Sequence, residues 1–526
     1  MRKSGFQKAA GLLLSLCVMV SLASGCTSSG QGKKQNDKKE NSVSASTSSD
    51  SRGKGASEAK KKVKIDLVMG DNVVMPEEKD NFINQELDKA LHVDLTMSIL
   101  GGGTDYATAL NTRISSGDVP DMFYVPSQQS FQQYADSGLL MSLTPYLDKI
   151  QPVVDWAGGK ESLTPNTYKG ELYRVPKKPG IDNYKIWSIR KDWLDAVKAQ
   201  IPTTPEEALD VAKRFTFEDP DGNGKKDTYG FAGPGINTFD AIVNSYGGSL
   251  KSDIIIKDNE VMASILQPDM KAALEMCKSF VDGGVVDPDL VADDNNSVRD
   301  KLIQGMSGMT FYTWAGLYKQ IYMDQVLAVN PKAEWVCFNG LEGPDGHENG
   351  TSDIDNVAGR WVISKEIESD EVKRDRIFDL LNYTVSGEGL NLLCYGVEGR
   401  HFNIEDGKVV PTELMSRECD YIYVYQICNR DDLTYCETKF PEAKTAIETG
   451  FHMDRYHTYN GEVDLPEGLH KSDMDNYISD NMIKFIYGKR PINEYDDFIK
   501  ELSDSFQFDE YLKAAQTQLK EKEYIK

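Results

Sequence analysis

The nine residues Asp219-Pro220-Asp221-Gly222-Asn223-Gly224-Lys225-Lys226-Asp227 place oxygen donors at the spacing of a metal-binding loop. Counted from Asp219, side-chain oxygens fall at positions one, three, five and nine. Gly224 suits the sharp turn at six, and Lys225 offers its carbonyl at seven. A hard divalent cation prefers several hard oxygens at once, so the spacing predicts Ca2+ held by Asp219, Asp221, Asn223, Lys225 and Asp227 in a structural role. Position twelve is Gly230, so the bidentate glutamate that usually closes such a loop is missing and the affinity is expected to be modest. The competing reading is a metal-free turn built by Asp, Asn and Gly.

Aromatic rings form a second group with chemical meaning. The chain has 25 tyrosines and 6 tryptophans. A pyranose packs its C–H face on an indole or phenol while polar side chains meet its hydroxyls. Trp187 and Trp314 are the first choices for such platforms, and Tyr124, Tyr184, Tyr312 and Trp361 follow. For each ring alone, packing in a core explains it equally well. Arg360 and Arg400 could pair with carboxylate or sulfate groups on a ligand, or serve as surface or architectural arginines. Tyr421, Tyr423 and Tyr425 line a wall or face an interface.

Signatures of catalysis are missing: no HExxH, GxSxG, GxxxxGK[ST] or strand-following GxGxxG occurs. The 6 histidines are scattered. Two of the 83 acidic residues could serve a glycosidase, but nothing selects which two. The formal net charge of -24 argues against nucleic acid and anionic membrane surfaces as partners.

Strands alternating with helices must position these groups. Val63, Ile65, Leu67 and Met69 alternate with polar residues, Phe82 to Leu91 has helical spacing, and Val93, Leu95 and Met97 alternate again. A second helix covers Tyr106 to Ile114, and Asp121 to Val125 reads as a short buried strand. This order implies an α/β fold with mostly parallel sheets flanked by helices, whose ligands sit at the carboxyl ends of strands. Asp71 and Gln128 lie in the loops expected to form that rim. Thr204, Pro205 and Glu207 announce a helix with a capping box. With 526 residues, two lobes are expected.

Arg2, Lys3 and Lys8 precede an apolar run from Ala9 to Ala23, which reads as a signal peptide over 1–25. It ends in Leu22-Ala23-Ser24-Gly25-Cys26, which resembles a bacterial lipobox with Cys26 as the lipidated residue. An incidental cysteine is the alternative. Residues 26–62 are polar enough to read as a disordered tether of about 30–35 Å mean reach. Of the 8 cysteines, six fall in the body. They contain no CxxC pair, and disulfides and buried thiols both remain open.

Arg190-Lys191-Asp192-Trp193-Leu194-Asp195, Pro202 to Glu207, Asp219 to Gly224, Gly283 to Pro288 and Tyr395-Gly396-Val397-Glu398-Gly399-Arg400-His401, taken in order, resemble the extracellular solute-binding proteins of ABC sugar importers. The branch most similar is that of large Gram-positive lipoproteins related to alginate-oligosaccharide binders, over Val63 to the C-terminus. The resemblance implies a two-lobe, class II periplasmic-binding-protein-like fold, each lobe a mixed, mostly parallel sheet flanked by helices, with an N-lobe of 63–184 plus about 365–410 and a C-lobe of 185–364 plus about 411–526. It implies a monomer that captures an oligosaccharide between lobes and presents it to importer permease subunits, held to the extracellular face by its lipid alone. Related proteins place a glutamate just after the last loop aspartate, where this chain has Thr228. A secreted hydrolase, or a binder of peptides or signalling ligands, is the alternative.

Overall fold

The computed structural model describes residues 62–180, 184–346, 349–353 and 358–526. The leader, Cys26 and the tether lie outside the described residues.

The first sheet is assembled from β1 (Val63–Met69), β2 (Val93–Ile99), β3 (Met122–Tyr124) and a late strand described below. Helix α1 (Phe82–Leu91) joins β1 to β2, α2 (Gly103–Ser115) joins β2 to β3, and α3 (Gln128–Asp136) follows β3. β1 runs parallel to β2 with Val63 opposite Val93, and parallel to β3 with Leu67 opposite Met122. The period of two places Ile65 and Leu67 on one face, in a core with Ile83, Leu87 and Leu95. Val68 faces the other way, into a core with Tyr106, Leu110, Phe123 and Phe131. Both faces are therefore covered, as a parallel sheet requires.

β4 (Lys185–Arg190) opens the second sheet. α4 (Pro205–Phe217), β5 (Met309–Thr313) and β6 (Trp335–Phe338) follow it. The order is β6-β4-β5, and both pairings are antiparallel. A mixed, mostly parallel sheet is expected in each half, and these three strands supply its antiparallel part. Parallel bridges Ala232 to Thr310 and Phe231 to Val286 extend the sheet beyond β5, so it is mixed. At α4 the Thr204 hydroxyl accepts from the Glu207 N–H, 3.2 Å, which makes it the N-cap. The Glu207 carboxylate reaches one residue further back than a capping box has it, to the Thr203 N–H and hydroxyl, both 2.8 Å.

β7 (Trp361–Ile363) completes the first sheet antiparallel to β3, with Trp361 opposite Tyr124. Helix α5 (Asp432–Lys439) is followed by α6 (Lys444–His452), which packs on β4 and β6. Among the described residues, no helix is long and apolar enough to cross a membrane.

The family-like motifs are mostly structural in effect. Arg190, buried at the end of β4, donates through Nε and Nη2 to Asp192, at 2.7 and 2.6 Å, and lies over the Trp193 ring. His401 is fully buried. Its Nδ1 accepts from the Val397 N–H at 2.8 Å, and Gly396, at φ +91°, leaves room for the ring. The six body cysteines are free thiols. Burial pushes Cys394, Cys419 and Cys428 up to about 12 and Cys436 to about 11.

Candidate functional site

The carboxyl ends of β1 and β3 lie side by side and face the end of the second sheet at which β4 begins and β5 finishes. Cavities lined from both sides occupy the gap. The one nearest the crossover into β4 has a volume of ≈ 460 Å³. The loop after β1 contributes Asp71, Asn72 and Val73, the crossover contributes Tyr184, and the end of β5 contributes Trp314 and Ala315. Lys319, Asp420, Tyr423, Arg430, Tyr435, Cys436, Lys439 and Phe440 complete it.

Tyr184 and Trp314 stack with centroids 5.8 Å apart and planes 12° from parallel. The Trp314 N–H donates to the Tyr184 carbonyl at 2.7 Å, which ties crossover to strand end. Phe440 meets the indole at 5.6 Å, near edge-on. The Tyr184 hydroxyl accepts from Arg430 Nη2 at 2.9 Å, and burial raises its phenol above the usual range. Opposite, Asp71 Oδ1 accepts from the N–H groups of Asn72 and Val73, at 2.7 and 2.9 Å, and from the Tyr423 hydroxyl at 2.9 Å. Burial first, and then the Asp71 charge, push the Tyr423 phenol upward, so it stays protonated as the donor. Trp314 is itself 1 % exposed and packed into the core, so it backs the half-buried Tyr184 ring, which is the face a polyhydroxylated ring could meet while Asp71 serves its hydroxyls.

Further along the same edge, Val125, Ser127, Gln128, Arg174, Ala358 and Arg360 face Asp353, Asn460 and Gly461 across ≈ 250 Å³. The Asn460 amide donates to Asp253 at 2.8 Å, and its oxygen accepts from the Ile254 N–H at 2.8 Å. A neighbouring cavity of ≈ 530 Å³ shares Ser127, Gln128 and Asn460 and reaches Lys471 and Tyr511. Gln132 on α3 donates to Asp464 at 2.6 Å, a direct bond across the gap.

The sequence-derived candidates divide clearly. Asp71, Tyr184 and Trp314 come together at the crossover cavity, and Gln128 and Arg360 at the next one. Tyr124 stands behind Arg360, whose guanidinium lies 5.8 Å from the ring, and meets Trp361 edge-on. Three candidates are corrected. Trp187 is wholly buried among Phe231, Phe311 and Phe338, with its indole N–H bonded to Asn349 at 2.7 Å. Mid-strand in β4, it points into the core. Tyr312 is 2 % exposed and donates to the Asn295 carbonyl at 2.6 Å, which fixes it as core. Trp361 is 4 % exposed inside the first sheet's core.

Arg400 stands apart from both cavities. It is exposed, pairs with Glu418 at 2.7 Å, and lines an adjoining groove that shares only Val73 and Asp420 with the crossover cavity. Of the three clustered tyrosines, Tyr423 alone lines the crossover cavity. Tyr421 and Tyr425 fasten α1 through Asn81 and Asn84, at 3.1 and 2.7 Å. Lys319, Arg430, Lys439 and Asn460 were missed. Nothing in their local spacing sets them apart from ordinary helix-end or loop residues.

In the 219–227 loop, the Asn223 amide nitrogen donates to Asp221 at 2.6 Å and Asp227 at 3.2 Å. Asp219 accepts from the Gly224 N–H at 3.0 Å. Burial, with Asp219 and Asp227 close by, raises the Asp221 carboxyl. The Thr228 hydroxyl is turned away and donates to the Phe215 carbonyl at 2.8 Å. Among the described residues, no group of three or more His, Cys, Asp or Glu side chains is drawn tightly enough to enclose a metal ion.

The family model for bacterial extracellular solute-binding proteins matches residues 77–334. The Bacillus subtilis lipoprotein LipO is 23% identical over 418 residues, 76% of this chain and 81% of its own. FusA of Streptococcus pneumoniae, a fructooligosaccharide ABC transporter substrate-binding protein, is 25% identical over 258 residues, 45% of this chain and 47% of its own. The FusA structure in complex with kestose superposes with TM-score 0.67, at 18% identity, over 88% of this chain and 99% of that one. The alginate-binding protein AlgQ2 without calcium ion gives TM-score 0.71 at 16% identity, again over 88% and 99%. Two sheet-centred halves thus face each other across a lined gap, and residues 77–334 match the bacterial extracellular solute-binding protein family.

Proposed function

We propose that this protein captures an oligosaccharide in the gap between the two sheets and delivers it to the permease of an ABC importer. The observation that carries the proposal is the Tyr184–Trp314 stack set opposite Asp71. FusA is a fructooligosaccharide protein and AlgQ2 an alginate protein by name, which supports a saccharide ligand here. Transport needs no bond broken, so the site has to bind and release rather than react. A ligand touching both walls favours the closed arrangement by its differential affinity. Calorimetric titration of the full chain with a panel of oligosaccharides tests the proposal. Saturable binding without product formation supports it, and hydrolysis of any member replaces it with the enzyme reading.

The lobes are assigned as 63–184 plus about 365–410 and 185–364 plus about 411–526, and the pairing of β7 with β3 favours moving the return to the first lobe ahead of Trp361. Asp219, Asp221, Asn223, the Lys225 carbonyl and Asp227 are suited in kind to Ca2+, which would replace the Asn223 amide as the link between carboxylates. Cys26 is assigned as the lipid attachment point on the extracellular face, and the protein as a monomer.

A further inference from the structure

Lys439, the last residue of α5, is 5 % exposed and lines the crossover cavity. Its ammonium donates to the Cys419 carbonyl at 2.6 Å and the Tyr435 hydroxyl at 3.0 Å, both neutral acceptors. Among the described residues, no carboxylate lies within ion-pair distance of it, whereas its cationic neighbours are paired. Arg430 has Asp432 at 3.1 Å, and Lys319 has Asp420 at 3.5 Å. A buried ammonium is costly to keep without a counter-charge, and this one has a third N–H to spare. The buried Trp314 indole N–H, on the same cavity, has no partner either. Asp71 does not fill the gap, because it stands on the opposite wall with Oδ1 taken up by three donors.

We propose that this end of the cavity is an anion subsite, in which Lys439 pairs with a carboxylate or sulfate ester on the bound oligosaccharide and Trp314 donates to the same group. Asp71 then serves the hydroxyls, and Lys319 supplies long-range attraction. The inference rests on the oligosaccharide reading above and narrows it to acidic sugars.

The test is calorimetry on the full chain with trigalacturonate, its methyl ester, a sulfated trisaccharide and the neutral trisaccharide kestose. The ester keeps the rings and removes the charge, so the comparison needs no variant. Esterification is expected to weaken binding roughly ten- to hundredfold, the range of a charge-assisted hydrogen bond. Lys439→Met should weaken acid binding similarly, and Lys319→Met, at a partly exposed side chain, less. Preference for the sulfated sugar with the same Lys439 dependence supports the subsite and assigns its anion as sulfate. Equal affinity for acid and ester, or binding of kestose alone, overturns the anion subsite while oligosaccharide capture stands. Binding of none of the four overturns the anion subsite. If the wider panel also fails to bind, oligosaccharide capture falls separately.

Discussion

Tyr184 and Trp314 belong to segments 130 residues apart in sequence, yet their rings lie 5.8 Å apart and nearly parallel, joined by the Trp314 N–H to Tyr184 carbonyl bond. The bond continues the β4–β5 pairing one step past Lys185 and Thr313, so sheet register itself delivers both rings to the gap.

Trp314→Ala removes the inner, 1 % exposed ring of that stack and is expected to weaken ligand binding by about 1–3 kcal/mol, or roughly 5- to 150-fold in Kd, together with a loss of folding stability. Trp187→Ala instead empties a site in the second core and should cost about 3–5 kcal/mol of folding stability. Denaturant melts paired with calorimetry separate the two. Trp187→Ala binding at wild-type affinity when folded is expected. A selective loss of binding by that variant contradicts its core placement.

The two tryptophans also show how far the sequence could be read. Both stand in strand-like surroundings beside aromatic residues, and periodicity alone does not say which strand residue is last. Both rings are buried, and their register decides that Trp314 alone also lines the gap. Asp71 and Gln128 were legible because ligands collect at the carboxyl ends of parallel strands, and that rule needs only the strand ends. Lys439 was not legible: a lysine closing a helix ordinarily offsets the helix dipole. Its burial depends on Tyr435 and Phe440 packing against segments far away in sequence.

The Asp221 carboxyl is raised by burial and by the nearby Asp219 and Asp227. For a carboxyl raised in the folded state, its stabilising contribution is complete below the unfolded value near 3.8 and is lost as pH rises through the folded value. At neutral pH the metal-free loop therefore carries a partly desolvated carboxylate beside Asp219 and Asp227, which the Asn223 amide offsets only in part. Calcium should raise Tm at pH 7, and the increment should shrink as pH falls toward that carboxyl's folded value. Asp221→Asn should raise the metal-free Tm slightly and abolish most of the calcium increment. Identical melting with and without calcium at pH 7, on a metal-stripped sample, removes calcium from the loop.

Cys26→Ala should move the protein from the membrane fraction to the medium or leave an uncleaved precursor. Metabolic labelling with palmitate reads the same assignment directly, and an unlabelled wild-type protein contradicts it.

The thiols give the last expectation. Cys277, Cys394, Cys419, Cys428 and Cys436 are buried, and burial raises all five above the ordinary thiol range. The thiolate is the nucleophile, so at pH 8 these groups are both shielded and protonated. Cys337, on β6, is only partly buried and sits 3.4 Å from the Thr449 hydroxyl. Iodoacetamide applied to the native protein should therefore alkylate Cys337 first. The other five should follow only at the rate of opening or unfolding. Because Cys428 and Cys436 flank Arg430 and Cys436 lines the crossover cavity, a ligand held there should slow their labelling further and leave Cys337 unchanged. Peptide mapping of the alkylated protein with and without saturating oligosaccharide makes the measurement. Rapid labelling of Cys436 that ligand does not affect contradicts the placement of the ligand in this cavity.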